Sequence, residues 1–428
     1  MNKEILRLAI PNILSNLTVP LLGIVDTMLM GRMDDPSYLG AIALGGSVFS
    51  FLYWGFGFLR MSTVGLTGQA YGANDQGEII QLLARALIVG ISAASLMLLL
   101  QHPIAGYGLS LLGVETDLEE VTREYVLIRI WGAPAALSLF GFTGWFLGMQ
   151  NARYPLIIAI VVNGANILFN LLFVKVFAMT SDGVALGTVL AQYAGLITAI
   201  ILFLSSYKGH IQHLQAKLLR EIRSYVRFFQ VSGDIFLRTL FLIIVFTFFN
   251  VKSAQLGKIT LDANHILFQF FFILSFGVDG FAYAAESLVS RFTGKGNREE
   301  LITIIKKLLI WGGGLGLLIT LAYSVFSSWL ILLFTDQQVI IDAALAYRWW
   351  MIAVSASGTF AFIWDGIYIG ATATRAMRNT MFLAFAGATL VYLVLEQDLN
   401  TALWAGMTAF MLLRSGLMWG LKEKVIFQ

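Results

Sequence analysis

Apolar segments of about 20 residues recur along this chain, separated by short polar breaks. A helix of that length crosses the hydrocarbon core of a bilayer, and in lipid a helix is one of the few structures that pair all their own backbone groups. We therefore predict an all-α polytopic membrane protein. Its twelve transmembrane helices are expected at residues 8–31, 40–66, 84–109, 121–148, 154–176, 183–206, 226–250, 260–289, 302–333, 343–370, 376–395 and 399–421.

Composition agrees with this class. Hydrophobic residues make up 58% of the 428, charged residues 12%, and the mean hydropathy is +0.79. Soluble domains carry about twice that charged fraction.

The two halves of the chain resemble each other at a constant offset of 222 residues. The matched positions include Gly72 with Gly294, Gly90 with Gly312, Tyr125 with Tyr347, Gly144 with Gly366, Gly148 with Gly370, and Arg153 with Arg375. Six spans per half is an even number, so both halves enter the membrane in the same direction. A pseudo-twofold axis along the membrane normal should relate them. We predict an N-terminal lobe at residues 1–206, a cytoplasmic linker at 207–225 and a C-terminal lobe at 226–428.

The lysines and arginines predict the orientation of the chain. If the N-terminus is cytoplasmic, eighteen of the 28 fall in cytoplasmic segments and six outside, as the positive-inside rule requires of a chain with both termini in the cytoplasm. Arg60, Arg129, Arg238 and Arg414 fall within or at the ends of spans and need separate explanations. The linker carries His210, His213 and several cations. Its amphipathic pattern suits either the anionic inner leaflet or a solvated connection.

Several functions are excluded by absent patterns. There is no Walker-type phosphate loop, so ATP is not the direct energy source, and no hydrolase or zinc-protease motif appears. The chain has no cysteine, and its net charge of +3 is too small and dispersed to indicate nucleic acid. We expect no enzyme activity, no cofactor and no bound metal beyond a coupling ion. The expected partners are small organic molecules and membrane lipids, and the expected state is a monomer.

The first span contains both a proline and an acid. Pro20 removes one backbone hydrogen bond inside the helix, so the helix can bend there. Asp26 is a carboxylate whose burial costs about 2.5–3.5 kcal/mol on insertion scales. A titratable group near a bendable point suits an ion-driven conformational switch. The alternative is a static kink with a satisfied polar residue at a helix end.

A polar set accompanies Asp26 in the same half. Asn163, Asn166 and Asn170 lie at i, i+3 and i+7 and so share one helix face. With Thr188 and Gln192 on the next span they would suit an acid that gains and loses a proton, or a small cation bound through oxygen. The alternative is ordinary interhelical hydrogen bonding, often about 0.6 kcal/mol per contact.

The second half is richer in charge. Asp234 and Arg238, at i and i+4, are expected to pair on one helix face. Asp279 and Glu286 lie two turns apart on one helix. One prediction is that either acid contacts Arg60 and latches the two halves together. The alternative is that Arg60 and Arg238 only neutralise these acids. Asp365 stands as a solitary acid and a second candidate for titration or substrate contact.

Four motifs, in order, resemble the DinF-type branch of the MATE (multidrug and toxic compound extrusion) transporters. They are PLLGIVDTMLMG at 20–31, FLRMSTVGLTGQAYG at 58–72, DGFAYAAE at 279–286 and DGIYIGAT at 365–372. The resemblance covers essentially the whole chain. It implies a MATE fold of two six-helix lobes in a prokaryotic inner membrane, exporting organic, often cationic or amphipathic compounds in exchange for protons or sodium.

Residue by residue, the resemblance places the family's first-span aspartate at Asp26, its proline bend at Pro20 and its polar partners at Asn166 and Thr188. At Asn170 related sequences commonly carry a second aspartate. The amide leaves one negative charge instead of two, which weakens the case for sodium held by Asp26, Asn166, Asn170 and Thr188, since cations of this kind prefer anionic oxygen cages.

The sequence therefore predicts a multidrug efflux antiporter that works by alternating access, coupled to protons through Asp26. A flippase of lipids or lipid-linked precursors is the alternative with a related two-lobe plan. It would need a strongly cationic central cavity, whereas the acids and bases here nearly balance.

Overall fold

A computed structural model describes residues 1–30, 37–114, 116–395 and 398–427, with the side chains of 19–30, 37, 116 and 224 also outside the description. Within that part the chain is almost entirely helical. The helices are α1 (Asn2–Met30), α2 (Ser37–Gly72), α3 (Gln76–Leu99), α4 (Gln101–Leu111), α5 (Thr116–Arg129), α6 (Ala133–Gly148), α7 (Arg153–Leu171), α8 (Ser181–Ser206), α9 (Ile222–Gln255), α10 (Lys258–Lys295), α11 (Arg298–Leu332), α12 (Gln338–Gly370), α13 (Thr374–Val394) and α14 (Leu399–Val425).

Ten helical stretches among the described residues are long and apolar enough to cross a membrane. They correspond to the second through eleventh predicted spans, and the all-helical fold class is confirmed. Two predicted spans are divided. The third comprises α3 and α4, and the fourth comprises α5 and α6 with a 3-10 turn at Ile130–Gly132 between them. The last predicted span corresponds to α14, which is not among the ten and carries the buried Arg414.

The helices form two compact units. The N-terminal unit is Leu14–Phe228, and the C-terminal unit is Phe229–Gln428 together with Met1–Ile13. The first half of α1 joins the C-terminal unit because Gly280 has no side chain: a Cβ there would lie 2.2 Å from Ile13 and 2.9 Å from the Ala9 carbonyl oxygen. Glu4 also pairs with Arg291 at 3.2 Å.

Each unit contains the same helix-packing contacts at equivalent repeat positions. A Cβ on Gly144 would lie 2.5 Å from the carbonyl oxygen of Arg60, and one on Gly366 would lie 2.3 Å from that of Ala282. The contacted residues are themselves repeat mates. Gly148 and Gly370 repeat the pattern one turn later, with Thr67 and Val289 as the matched neighbours. These glycines let α6 pack closely on α2, and α12 on α10.

The loops of the repeat match as well. Asp75 caps α3 by accepting a hydrogen bond from the Glu78 amide, and Asn297 caps α11 by accepting one from the Glu300 amide, each pair separated by the repeat offset. The left-handed residue before each cap is Asn74 (φ 58°) in one unit and Gly296 (φ 68°) in the other. The duplication read from the sequence is therefore present in backbone conformation.

Candidate functional site in the N-terminal unit

Helices α7 and α8 place the predicted amides inside the N-terminal unit. Asn166 and Asn170 are one turn apart on α7 and are fully buried, while Asn163 is half-buried. The two helices approach closely at Gly187, where a Cβ would lie 2.2 Å from the Asn170 side-chain oxygen. Beyond Leu171 the helix widens into a π-helical turn, Leu172–Val176, a distortion that is frequent at functional sites.

The amides and a hydroxyl form a directed chain of hydrogen bonds. Asn170 Nδ2 donates to Asn166 Oδ1 at 2.9 Å, and Asn166 Nδ2 donates to Thr188 Oγ1 at 3.0 Å. The Thr188 hydroxyl in turn donates to the Val184 carbonyl at 2.9 Å. A buried chain of this kind is strengthened by the low local dielectric, and all its members are electrically neutral.

The same face of α7 also contacts helix α1 through a hydrogen bond. Asn163 Nδ2 donates to Thr18 Oγ1 at 2.7 Å, and the Thr18 hydroxyl donates to the Ser15 carbonyl at 2.7 Å. Sequence reasoning missed Thr18. The signal available was its position on the same span as Asp26, two residues before Pro20, opposite a polar stripe that needed partners. We name Thr18, Asn163, Asn166, Asn170 and Thr188 the amide chain.

Three predicted residues are not members of the amide chain as described. The side chains of Pro20 and Asp26 lie outside the described residues, although the backbone of α1 is helical through both positions. Gln192 lies apart, because its Oε1 is against the backbone of Gly132, where a Cβ would be 2.6 Å away. It therefore contacts the 3-10 turn between α5 and α6.

The C-terminal unit contains an ionic network among buried side chains. Asp365 on α12 is buried. Its Oδ2 accepts a hydrogen bond from Arg414 on α14 and forms an ion pair with Arg238 on α9. From the sequence alone, Asp365 is predicted to be a solitary acid. That prediction is wrong, because two arginines contact it. Arg414, fully buried, also lies 5.3 Å from the Phe410 ring. Placement of a cation between an acid and aromatic rings explains how an arginine is accommodated inside a bundle.

The expected pair of Asp234 with Arg238 is wrong. Asp234 Oδ1 accepts from Arg378 at 2.7 Å, and its Oδ2 accepts from Thr374 at 3.0 Å. Both partners lie at the start of α13. Arg238 lies one turn further along α9 and reaches α12 instead. The partners of Asp234 therefore lie on a facing helix and not on the next turn of α9. The spacing of residues along one helix cannot predict such a contact.

The remaining acids of this unit lie near the network. Asp279 accepts a hydrogen bond from Ser275 at 3.2 Å, and both Asp279 and the buried Glu286 interact electrostatically with Arg238. The latch between Arg60 and Asp279 or Glu286 would join the two units and stays a prediction. Among the described residues, no group of three or more histidine, aspartate or glutamate side chains could hold a metal ion.

Comparison with known proteins agrees with this architecture. The family model described as MatE matches the chain twice, over residues 11–172 and over residues 235–395. The two matches correspond to the two halves of the internal repeat.

Individual relatives cover nearly the whole chain. DNA damage-inducible protein F of Escherichia coli K12 is 35% identical over 415 residues, which are 96% of this chain and 90% of that protein. The probable multidrug resistance protein NorM of Idiomarina loihiensis is 24% identical over 412 residues, 91% of this chain and 86% of the relative.

A solved structure shares the fold. It is the outward-facing conformation of a multidrug resistance MATE family transporter of the MOP superfamily, with a TM-score of 0.84, 17% identity, and coverage of 98% of this chain and 95% of that one. Members of this family are transporters and not enzymes. From the two family matches and the full-length similarity to the Escherichia coli protein, the chain belongs to the MatE family of multi-pass membrane transporters, in its DinF-type branch.

Proposed function

We propose that this protein is an efflux antiporter that exports organic, often cationic or amphipathic compounds in exchange for protons. The observation that carries the proposal is the amide chain, in which one bond joins α1, the helix of Asp26, to α7 and a separate pair of bonds joins residues of α7 to each other and to α8. The similarity to a relative named for multidrug resistance supports the cargo class. The proposed location is a prokaryotic inner membrane, with both termini cytoplasmic and the monomer as the working unit.

In the proposed cycle, Asp26 takes up a proton from the outside when the protein faces outward. Neutralising this acid removes the charge that favours nearby donors, so α1 rearranges near Pro20 and the bond between Thr18 and Asn163 is exchanged for another. The N-terminal cavity then closes and cargo leaves. Release of the proton to the cytoplasm resets the protein. The ion must bind the two states unequally, since equal affinity shifts no population.

The amide chain supports protons over sodium as the coupling ion. Each described oxygen at Asn166, Thr18 and Thr188 already accepts a hydrogen bond from a neighbour. A sodium ion would compete with these donors for the oxygens and would find one carboxylate, Asp26, because position 170 is an amide. A proton needs only an acid with adjustable hydrogen-bond partners.

The test is Asp26→Asn in cells that depend on the transporter for resistance to a cationic dye. We expect the variant to reach the membrane in normal amount and to lose protection, because an amide cannot release a proton. Asp117→Asn, at an exposed acid at the start of α5, is the matched control and should protect fully. Full protection by Asp26→Asn would refute coupling through this residue. Normal movement of a fluorescent lipid, with no dye export by the wild type, would favour the flippase.

A further inference from the structure

Arg129 lies inside a membrane-spanning stretch of the N-terminal unit. It is the last residue of α5, directly before the 3-10 turn that interrupts the stretch Asp117–Gly148. An arginine at membrane depth is expensive unless it is paired, and such residues commonly mark substrate or ion pathways. A 3-10 turn within a helix often marks a functional hinge or a strained sequence.

Arg129 is half-buried, and the fully buried arginines among the described residues are paired with acids. Arg85 contacts Glu78 at 2.7 Å, and Arg238 and Arg414 share Asp365. Arg129, in contrast, forms no ion pair with any acid in the described part of the chain. One of its terminal nitrogens donates to the Tyr125 hydroxyl at 2.8 Å, and its guanidinium lies 4.8 Å from the centre of the Phe49 ring. These contacts are with neutral groups, so the positive charge remains uncompensated there.

Two polar side-chain atoms in this region are buried and have no hydrogen-bond partner among the residues that the structure describes. They are Nε of Arg129 and the hydroxyl of Tyr53. Tyr53 lies one turn beyond Phe49 on α2, with its ring 5.6 Å from the Phe49 ring, and it interacts electrostatically with Arg129. A buried donor without a partner destabilises the protein, so a ligand that accepts hydrogen bonds here would remove that cost.

Two glycines on α2 leave space for the Tyr125 ring and the Arg129 guanidinium. A Cβ at position 45 would lie 2.4 Å from the Tyr125 ring, so only Gly45 lets that ring lie against α2 and hold Arg129 in place. The next residue, Gly46, leaves the guanidinium nitrogen 3.6 Å from the position a Cβ would occupy. Phe49 and Tyr125 are themselves buried in the apolar core of the unit. The Arg129 guanidinium therefore lies against two buried aromatic rings.

We propose that Arg129 and Tyr53 form a binding subsite for the acidic group of amphipathic cargo, an organic carboxylate or sulfonate whose apolar body packs on the aromatic side chains. The guanidinium and the phenol donate charge-assisted hydrogen bonds to the acid, and these are strong in a low-dielectric site. The inference rests on the proposed export function and extends its cargo from cationic and neutral amphiphiles to anionic ones. Arg129 then determines which charge of cargo the N-terminal unit accepts.

The test is binding of three matched fluorescent probes to the purified protein in phosphatidylcholine nanodiscs, which contain no competing anionic lipid. The probes are pyrenebutyrate, its neutral amide, and a pyrenebutyl trimethylammonium ion. We expect the wild type to bind the carboxylate at least about tenfold more tightly than the amide, because a hydrogen bond to a charged group is stronger than one to a neutral group. Arg129→Gln should reduce that ratio to near one, and Tyr53→Phe should reduce it partly.

Arg123→Gln is the control on the same helix, because Arg123 is paired with Glu119 at 2.5 Å near the helix start. It should keep the wild-type ratio. If Arg129→Gln does not fold, Arg129→Lys and Tyr53→Phe decide the matter, with a reduced ratio expected in each.

An unchanged ratio in the Arg129 variants, or no preference in the wild type, would overturn the subsite. Because this is a binding measurement, its failure leaves the proposed efflux function to be judged separately by the Asp26 experiment.

Discussion

The two units are built on the same helical scaffold but have different polar interiors. The N-terminal unit contains the neutral amide chain, whereas the C-terminal unit contains Asp365 held between two arginines and Asp234 held by Arg378. The packing glycines and helix caps match at the repeat offset in both. Duplication thus preserved the contacts that hold helices together, while the interior residues diverged.

This difference separates a stable interior from an adjustable one. An ionised acid between two guanidiniums is expensive to disturb, because removing either sign leaves a buried charge unpaired. Neutral amides exchange partners at little net free energy. We infer that the C-terminal network stabilises its bundle and that the N-terminal amides are suited to follow the titration of a single acid.

The largest effect should come from the shared scaffold. Gly144→Ala and Gly366→Ala each place a Cβ within 2.5 Å of a backbone carbonyl oxygen on the facing helix, so backbone must move in either unit. We expect both variants to lose monodisperse protein on size-exclusion chromatography in detergent. Gly314→Ala, where nothing lies within 4 Å, is the control and should behave as wild type. Tolerance of one substitution alone would show that the two units are packed differently.

Asp365→Asn should have the next largest effect. It leaves Arg238 and Arg414 buried without their shared carboxylate, and we expect a loss of about 3–5 kcal/mol in the free energy of unfolding. Chemical denaturation in micelles measures this. Asp342→Asn, at an exposed acid on the same helix, should change stability by less than about 0.5 kcal/mol. A variant that is fully stable but inactive in transport would instead assign Asp365 a functional role and weaken the contrast between the units.

Asn166→Leu tests the amide chain directly. The change removes the central member, leaving Asn170 and Thr188 without their shared partner, and should lower stability by about 1–3 kcal/mol while abolishing export. Asn400→Leu, in the buried polar network of Asn264 and Trp404 in the other unit, should lower stability to a similar extent but retain export in proportion to folded protein. Equal residual export in the two variants would mean that the amides serve only helix packing.

The smallest effect is expected at the helix caps. Asp75→Ala and Asn297→Ala each remove one side-chain hydrogen bond to a helix N-terminus, at 2.9 Å and 3.1 Å. Each should lower stability by about 1 kcal/mol, visible as a small and equal decrease in the thermal midpoint. A difference of more than twofold between them would show that the repeat is not equivalent at its loops.

Much of the fold was predictable from sequence because it rests on local signals. Apolar length predicts the spans, and the constant offset of Gly144 with Gly366 predicts the duplicated packing. The breaks were missed. The fourth span is divided by a 3-10 turn after Arg129 that ends at Gly132, and Pro134 lies in the first turn of the helix that follows. These two residues are the local signal that the prediction of one continuous helix over 121–148 overlooked.

The candidate site was predictable where one helix contains it and not where several helices meet. The stripe of Asn163, Asn166 and Asn170 follows from helical periodicity alone. Thr18 as their partner, and Arg414 as the partner of Asp365, depend on which helices face each other. Spacing along one helix also suggested the wrong partner for Asp234, since the competing contact with Arg378 is distant in sequence.

The central claim is that one titrating acid in the N-terminal unit drives export. The most direct measurement is dye uptake into proteoliposomes containing wild type or Asp26→Asn, under an imposed pH gradient and separately under a sodium gradient. The account predicts uptake that follows the pH gradient alone and is absent in the variant. Uptake that follows sodium, or that survives the substitution, would contradict it and place coupling at other groups, with Asp279 and Glu286 of the C-terminal unit the first to examine.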